Sequence, residues 1–118
     1  KNENILLTGG NQVRDFIHVN DLISAIKLIC NSKENYINGE IYDVSAGDIM
    51  TVKEITKKIQ KITEGGNPIY GSKIIRDTEG ELLYSHSKKL RDHLNWQPQV
   101  NIDSGLKEMI SYRKKFSK

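Results

Sequence analysis

The sequence holds a single cysteine, Cys30, so no intrachain disulfide can form. Cys30 ends the run Ile26-Lys27-Leu28-Ile29-Cys30, where it reads as a small buried apolar group rather than a nucleophile. A chain without disulfides fits a reducing, cytoplasmic setting. No stretch of about 18 apolar residues occurs, which argues against a membrane helix. No signal-peptide apolar segment follows Lys1-Asn2-Glu3-Asn4. The chain begins without Met and runs at once into a strand, as a piece excised from a longer protein would. A strong charge of one sign is also missing: 18 Lys and Arg oppose 15 Asp and Glu, a net +3. With aromatics at only 7% and no basic stripe interleaved with them, nothing points to nucleic acid. His18, His86 and His93 show no metal-ligand spacing and read as structural or solvated.

What is present suits one small domain of 118 residues with a modest core. The apolar start leads to Thr8-Gly9-Gly10, which looks like the opening of a dinucleotide-binding turn. That turn needs three glycines at set offsets, then a helix. Here Asn11 to Asp15 fill the place of the third glycine, and Val13, Phe16, Ile17 and Val19 follow as a β-branched and aromatic run. The pattern predicts a hairpin, Ile5 to Thr8 against Val13 to Val19, with Gly-Gly-Asn in the turn.

Asn20-Asp21 then offers a helix cap, and Leu22, Ile23, Ala25, Ile26, Ile29 and Cys30 follow at helical spacing. Ile41 to Val44 reads as a short strand and Ala46-Gly47-Asp48 as a turn. Thr51-Val52-Lys53-Glu54 is a capping box, opening a helix with Val52, Ile55, Ile59 and Ile62 on one face and Gly65-Gly66 at its stop. Pro68 to Ile75 reads as extended. Ser87 can cap a short helix through Leu90 to Leu94, and Trp96 is a core anchor. The last helix starts near Asp103, with Leu106, Met109, Ile110 and Tyr112 turned inward. Its basic end, Arg113-Lys114-Lys115, complements the helix dipole.

Four segments in this order carry a resemblance: Gly10 to Leu22, close to G-x-Q-x-R-D-F-I-H-V-x-D-L; Gly39 to Gly47, similar to G-x-x-Y-N-V-G-S-G; the capped helix from Thr51 to Ile62; and Ser87-Lys88-Lys89-Leu90 leading to Leu94-Asn95-Trp96-Gln97-Pro98, like S-K-x-x-x-x-L-G-W-x-P. The chain resembles the carboxy-terminal, nucleotide-sugar-binding part of the extended short-chain dehydrogenases, the NAD-dependent epimerase and dehydratase family. It departs from the pattern at Asp43 (usually Asn), Ser45-Ala46 (Gly-Ser), Ser85 (often Asp) and Asn95 (Gly). Asn tolerates the left-handed conformation, so the helix end before Trp96 can survive.

The resemblance implies a small mixed α/β fold, a hairpin with capped helices and short strands, lacking the Rossmann core. Residues 1–118 would form one substrate-binding segment, with NAD or NADP and the catalytic Tyr-x-x-x-Lys in an amino-terminal domain outside this chain. Tyr84-Ser85-His86-Ser87-Lys88 has that spacing but falls out of the family's order. No catalytic, cofactor or metal residue is therefore assigned, and the chain alone is expected to be inactive.

The resemblance gives Arg14 the diphosphate of a nucleotide sugar. A guanidinium fork fits phosphate oxygens; the competing role is a structural ion pair. Arg76 matches a second phosphate-binding arginine, followed by an acid for the ribose hydroxyls. Glu79 keeps the arginine-to-acid spacing and Glu81 keeps the Gly-acid order, so both stand as candidates. Expected partners are a nucleotide-diphosphate sugar, the absent Rossmann domain and further copies of the chain through exposed apolar surface. The alternative is a stand-alone small α/β binding module without enzyme activity.

Overall fold

The computed structural model describes residues 3–32, 39–74 and 80–116. Strands β1 (Asn4–Leu6) and β2 (Val13–Phe16) precede helix α1 (Val19–Asn31). Next come β3 (Asp48–Thr51), α2 (Val52–Thr63), β4 (Asn67–Ile69), β5 (Leu82–Leu83), α3 (Lys88–Leu94) and α4 (Ile102–Phe116). Two small sheets form: β1 pairs with β4 in parallel, and β2 lies centrally between antiparallel β3 and parallel β5. This is the small mixed α/β fold the sequence implied.

The expected hairpin does not form, because β1 and β2 belong to different sheets. Long-range pairing overrides the local turn signal: Leu6 aligns with Ile69, while Val13 aligns with Thr51. The glycines serve another contact. Gly10 has φ +75°, and its carbonyl accepts the Lys53 N–H at 2.9 Å. A Cβ there would lie 3.1 Å from the Lys53 Cβ and 3.3 Å from its backbone. Only glycine lets this loop approach the first turn of α2 so closely.

The second strand also moves. Residues 41–44 are irregular, and the strand is Asp48–Thr51, beginning at the last residue of the expected turn Ala46-Gly47-Asp48. Tyr42 and Val44 pack on the core from one side while Ile41 is 82% exposed. The alternation that reads as a strand is thus real, but no described strand lies alongside to pair with it. Thr51 caps α2 with both halves of the capping box in place, as the sequence implied.

The core gathers Ala25 of α1, Leu90 and Leu94 of α3, and Trp96, with Ile17, Leu28, Ile29, Tyr42 and Val44 around them. Trp96 is 3% exposed and donates Nε1–H to Ser24 Oγ at 2.8 Å. Asn95, at φ 51°, ends α3 in the left-handed conformation. Cys30 is exposed, not buried. It shares a face of α1 with Val19, Leu22, Ile23 and Ile26, all exposed, while Ala25, Leu28 and Ile29 take the core side. The helix is apolar on two sides and only one is covered. On α4, Leu106 is buried as expected, but Met109 and Tyr112 are exposed.

Candidate functional site

Two roles read as simple caps are tertiary contacts. Asp21 is 2% exposed and does not cap α1. Its carboxylate accepts the Gln99 N–H at 2.8 Å and the Val100 N–H at 3.1 Å, fixing the segment between α3 and α4. The cap is His18, whose Nδ1 accepts the Asn20 N–H at 3.3 Å. Ser87 begins α3 in a left-handed conformation without capping it. Its hydroxyl instead bonds the Ser45 N–H and C=O, while Ser45 Oγ donates to the Ser85 carbonyl at 2.7 Å. These bonds tie the loop before β3 to the start of α3.

Arg14 sits on β2, the central strand of the larger sheet, aligned with Met50 on one side and Leu83 on the other. It is half-buried, and Nη1 donates to the Val13 carbonyl at 2.8 Å. Glu81 precedes β5, and its carbonyl accepts the Val13 N–H at 2.7 Å. Parallel pairing therefore brings Arg14 and Glu81 to neighbouring strands, with the Glu81 side chain in solvent. Arg76 and Glu79 lie outside the described residues.

Tyr84 and Lys88 do not share a helix face. Tyr84 is extended and stacks edge-on with His86 at 5.3 Å, before the helix begins. Lys88 opens α3 and pairs with Asp92. His93 Nδ1 meets the Tyr42 hydroxyl at 3.2 Å. Among the described residues no three His, Cys, Asp or Glu side chains are placed to hold a metal.

The residues fit no dinucleotide cradle. Gly10 spends its backbone approach on Lys53 of α2, and a strand, not a helix, follows at Val13.

One feature escaped sequence reasoning. A groove of about 710 Å³ runs between Phe16–Val19, α2 and α4, walled by Ile17, Ile55, Ile59, Val100, Leu106 and Met109. Asp48 and Glu108 are its acidic groups. Burial raises the Asp48 pKa, and the Asp15 carboxylate adds to the shift. Asp15 Oδ1 is itself buried without a partner. The apolar faces of α2 and α4 are legible in the sequence; the gap between them is not.

The same fold is found in solved structures of sugar-nucleotide enzymes. UDP-glucose 4-epimerase from Thermotoga maritima, solved with UDP-glucose, superposes with a TM-score of 0.85 at 27% identity, covering 97% of this chain and 36% of that one. UDP-glucuronic acid 4-epimerase from Bacillus cereus, solved with UDP-glucuronic acid and NAD, has the same fold. Its TM-score is 0.81 at 22% identity, over 98% of this chain and 37% of that one. CDP-abequose synthase from Salmonella muenchen is 34% identical over 116 residues, 95% of this chain and 38% of that protein. A family model described as GDP-mannose 4,6 dehydratase matches residues 1–109, and the chain belongs to that family of sugar-nucleotide epimerases and dehydratases. It spans little more than a third of these relatives' lengths.

Proposed function

We propose that this chain is the sugar-nucleotide-binding portion of a longer NAD(P)-dependent epimerase or dehydratase. Arg14 and Arg76 hold the diphosphate, and Glu79 or Glu81 accepts hydrogen bonds from the ribose hydroxyls. The cofactor, and the groups that transiently oxidise the sugar, belong to a domain outside these residues. The observation that carries this reading is Arg14 on β2 of the matched fold, with Glu81 just before the adjoining strand β5. Relatives with this fold were solved with UDP-sugars. The exposed face of α1, Val19, Leu22, Ile23 and Ile26, is the surface on which the cofactor domain packs.

Calorimetric titration with UDP, dTDP, CDP and GDP tests the site. One nucleotide is expected to bind, and Arg14→Ala to weaken it by about ten- to hundredfold, the range for a charge-assisted phosphate contact. Thermal denaturation of Arg14→Ala separates lost contact from lost fold. Heat with none of the four nucleotides, or equal affinity in a folded Arg14→Ala variant, rejects the diphosphate role.

A further inference from the structure

We infer that His18 is a proton-operated switch between α1 and α4: neutral, the ring caps α1; protonated, it gives up the cap and forms an ion pair with Glu108. The ring sits where the two helices meet, and its side chain is 14% exposed. Gly105 leaves α4 without a side chain against it. A Cβ there would lie 3.0 Å from the His18 Cδ2. The tautomer follows from the hydrogen bond. A backbone N–H can only donate, and Nδ1 receives the Asn20 N–H at 3.3 Å. Nδ1 therefore carries no proton, and the proton of the neutral ring is on Nε2. Nε2 is the atom that faces Glu108, 3.8 Å from Oε2.

A second proton can enter only at Nδ1. It turns the acceptor of the cap into a donor that points at another donor. It also puts a cation at the amino end of α1, against the helix dipole. The cap is then lost. The same charge strengthens the contact on the other side, because Nε2–H now faces Glu108 as half of an ion pair. One proton thus moves the bonding of the ring from α1 to α4. Glu108 is the acid placed to receive that charge. Asp48, on β3, lines the same groove but accepts the Ile102 N–H. Asp21, on α1, gives its carboxylate to Gln99 and Val100, and Asp103, on α4, is held by Lys58. Asp15 adjoins Phe16 on β2 and so points to the other face of the sheet from the groove that Phe16 lines. Among the described residues no Lys or Arg lines the groove beside the ring. The first turn of α1, which the cap holds, carries Val19, Leu22 and Ile23, all exposed. The proton state of one ring therefore sets the order of an exposed apolar face.

Nuclear magnetic resonance of the 118-residue chain, from about pH 8 to about pH 5.5, spans imidazole titration and tests this. The His18 ring nitrogen shifts are expected to show the Nε2–H form at the upper end. As those shifts report the second proton, protection of the Asn20 amide from hydrogen exchange should be lost, after correction for the intrinsic pH dependence. The carboxyl carbon signal of Glu108 should step at the same midpoint. His18→Asn keeps a capping side chain that does not titrate. In that variant the Asn20 protection should hold across the range and the Glu108 step should vanish. A neutral ring protonated on Nδ1 overturns the proposal. So does Asn20 protection that is unmoved while the ring titrates, a Glu108 signal without the step, or the same loss in His18→Asn. The wild-type readouts decide the matter even where the variant fails to fold.

Discussion

At the scale of single residues, buried polar groups do most to fix the chain's path. Asp21 shows why. A carboxylate removed from water must find hydrogen-bond partners, and here two backbone amides from a segment nearly eighty positions away supply them. Asp21→Ala would leave those part-buried amides without their carboxylate acceptor, at a cost of about 1–3 kcal/mol. Asp21→Asn keeps one acceptor and should cost less. The urea midpoints of the two variants measure this. An Asp21→Ala midpoint equal to wild type would show that the contact carries no stability. The sequence gives Asp21 as a cap because Asn-Asp before an apolar run is a capping signal. Its partners could not be read, because they are backbone amides and any residues could occupy those positions.

At the scale of elements, α2 is the part whose local code and final state agree. Its capping box closes within four residues, so nothing distant can contradict it. Thr51→Ala is expected to destabilise the chain by about 0.5–2 kcal/mol in chemical denaturation. The same box makes a pH-dependent contribution. Hydrogen bonds from the Thr51 amide and hydroxyl hold the Glu54 carboxyl below its ordinary pKa. Stability from this group is therefore present above the ordinary glutamate pKa and is lost as pH falls through the depressed one. Denaturation midpoints across the acid range should show a smaller acid-side loss in Glu54→Gln than in wild type. An identical pH slope would show that the carboxylate is not linked to folding. The short strands behave oppositely. β1 and β2 have strand-forming composition, but their partners are chosen across the chain, so the expected hairpin gave way to two separate sheets. The same reason moved the strand expected at 41–44 to Asp48–Thr51, where β2 is available to pair.

At the scale of the whole molecule, the chain is open. Its radius of gyration is 17.2 Å and its extents are 53 × 37 × 20 Å. A compact domain of this length would have a radius of about 13.5 Å. Five hydrophobic side chains are buried among the described residues, while α1 and α4 each present an apolar strip to solvent. Surface of this kind calls for covering. The α1 strip should bind a hydrophobic dye. Replacing Ile23 and Ile26 by Ser should reduce dye fluorescence with little loss of stability, because both side chains are exposed. Unchanged fluorescence would place the accessible apolar surface elsewhere.

The sequence by itself determined whatever is written in neighbouring residues. It specified the helices through their periodicity and capping box, the left-handed helix end at Asn95, the Trp96 anchor and the family motif around Arg14. Each depends on side chains within a few positions of one another. Tertiary structure alone decided that β1 and β2 part company and that Gly10 serves α2. It decided that Asp21 reaches Gln99 and Val100, that Cys30 faces outward, and that Glu81 lies just before the strand beside Arg14. These depend on which backbone groups meet across the chain, and backbone groups are the same at nearly every position. Short-range chemistry is legible because it is carried by side-chain identity; long-range pairing is not, because the amides and carbonyls that make it have no letter of their own.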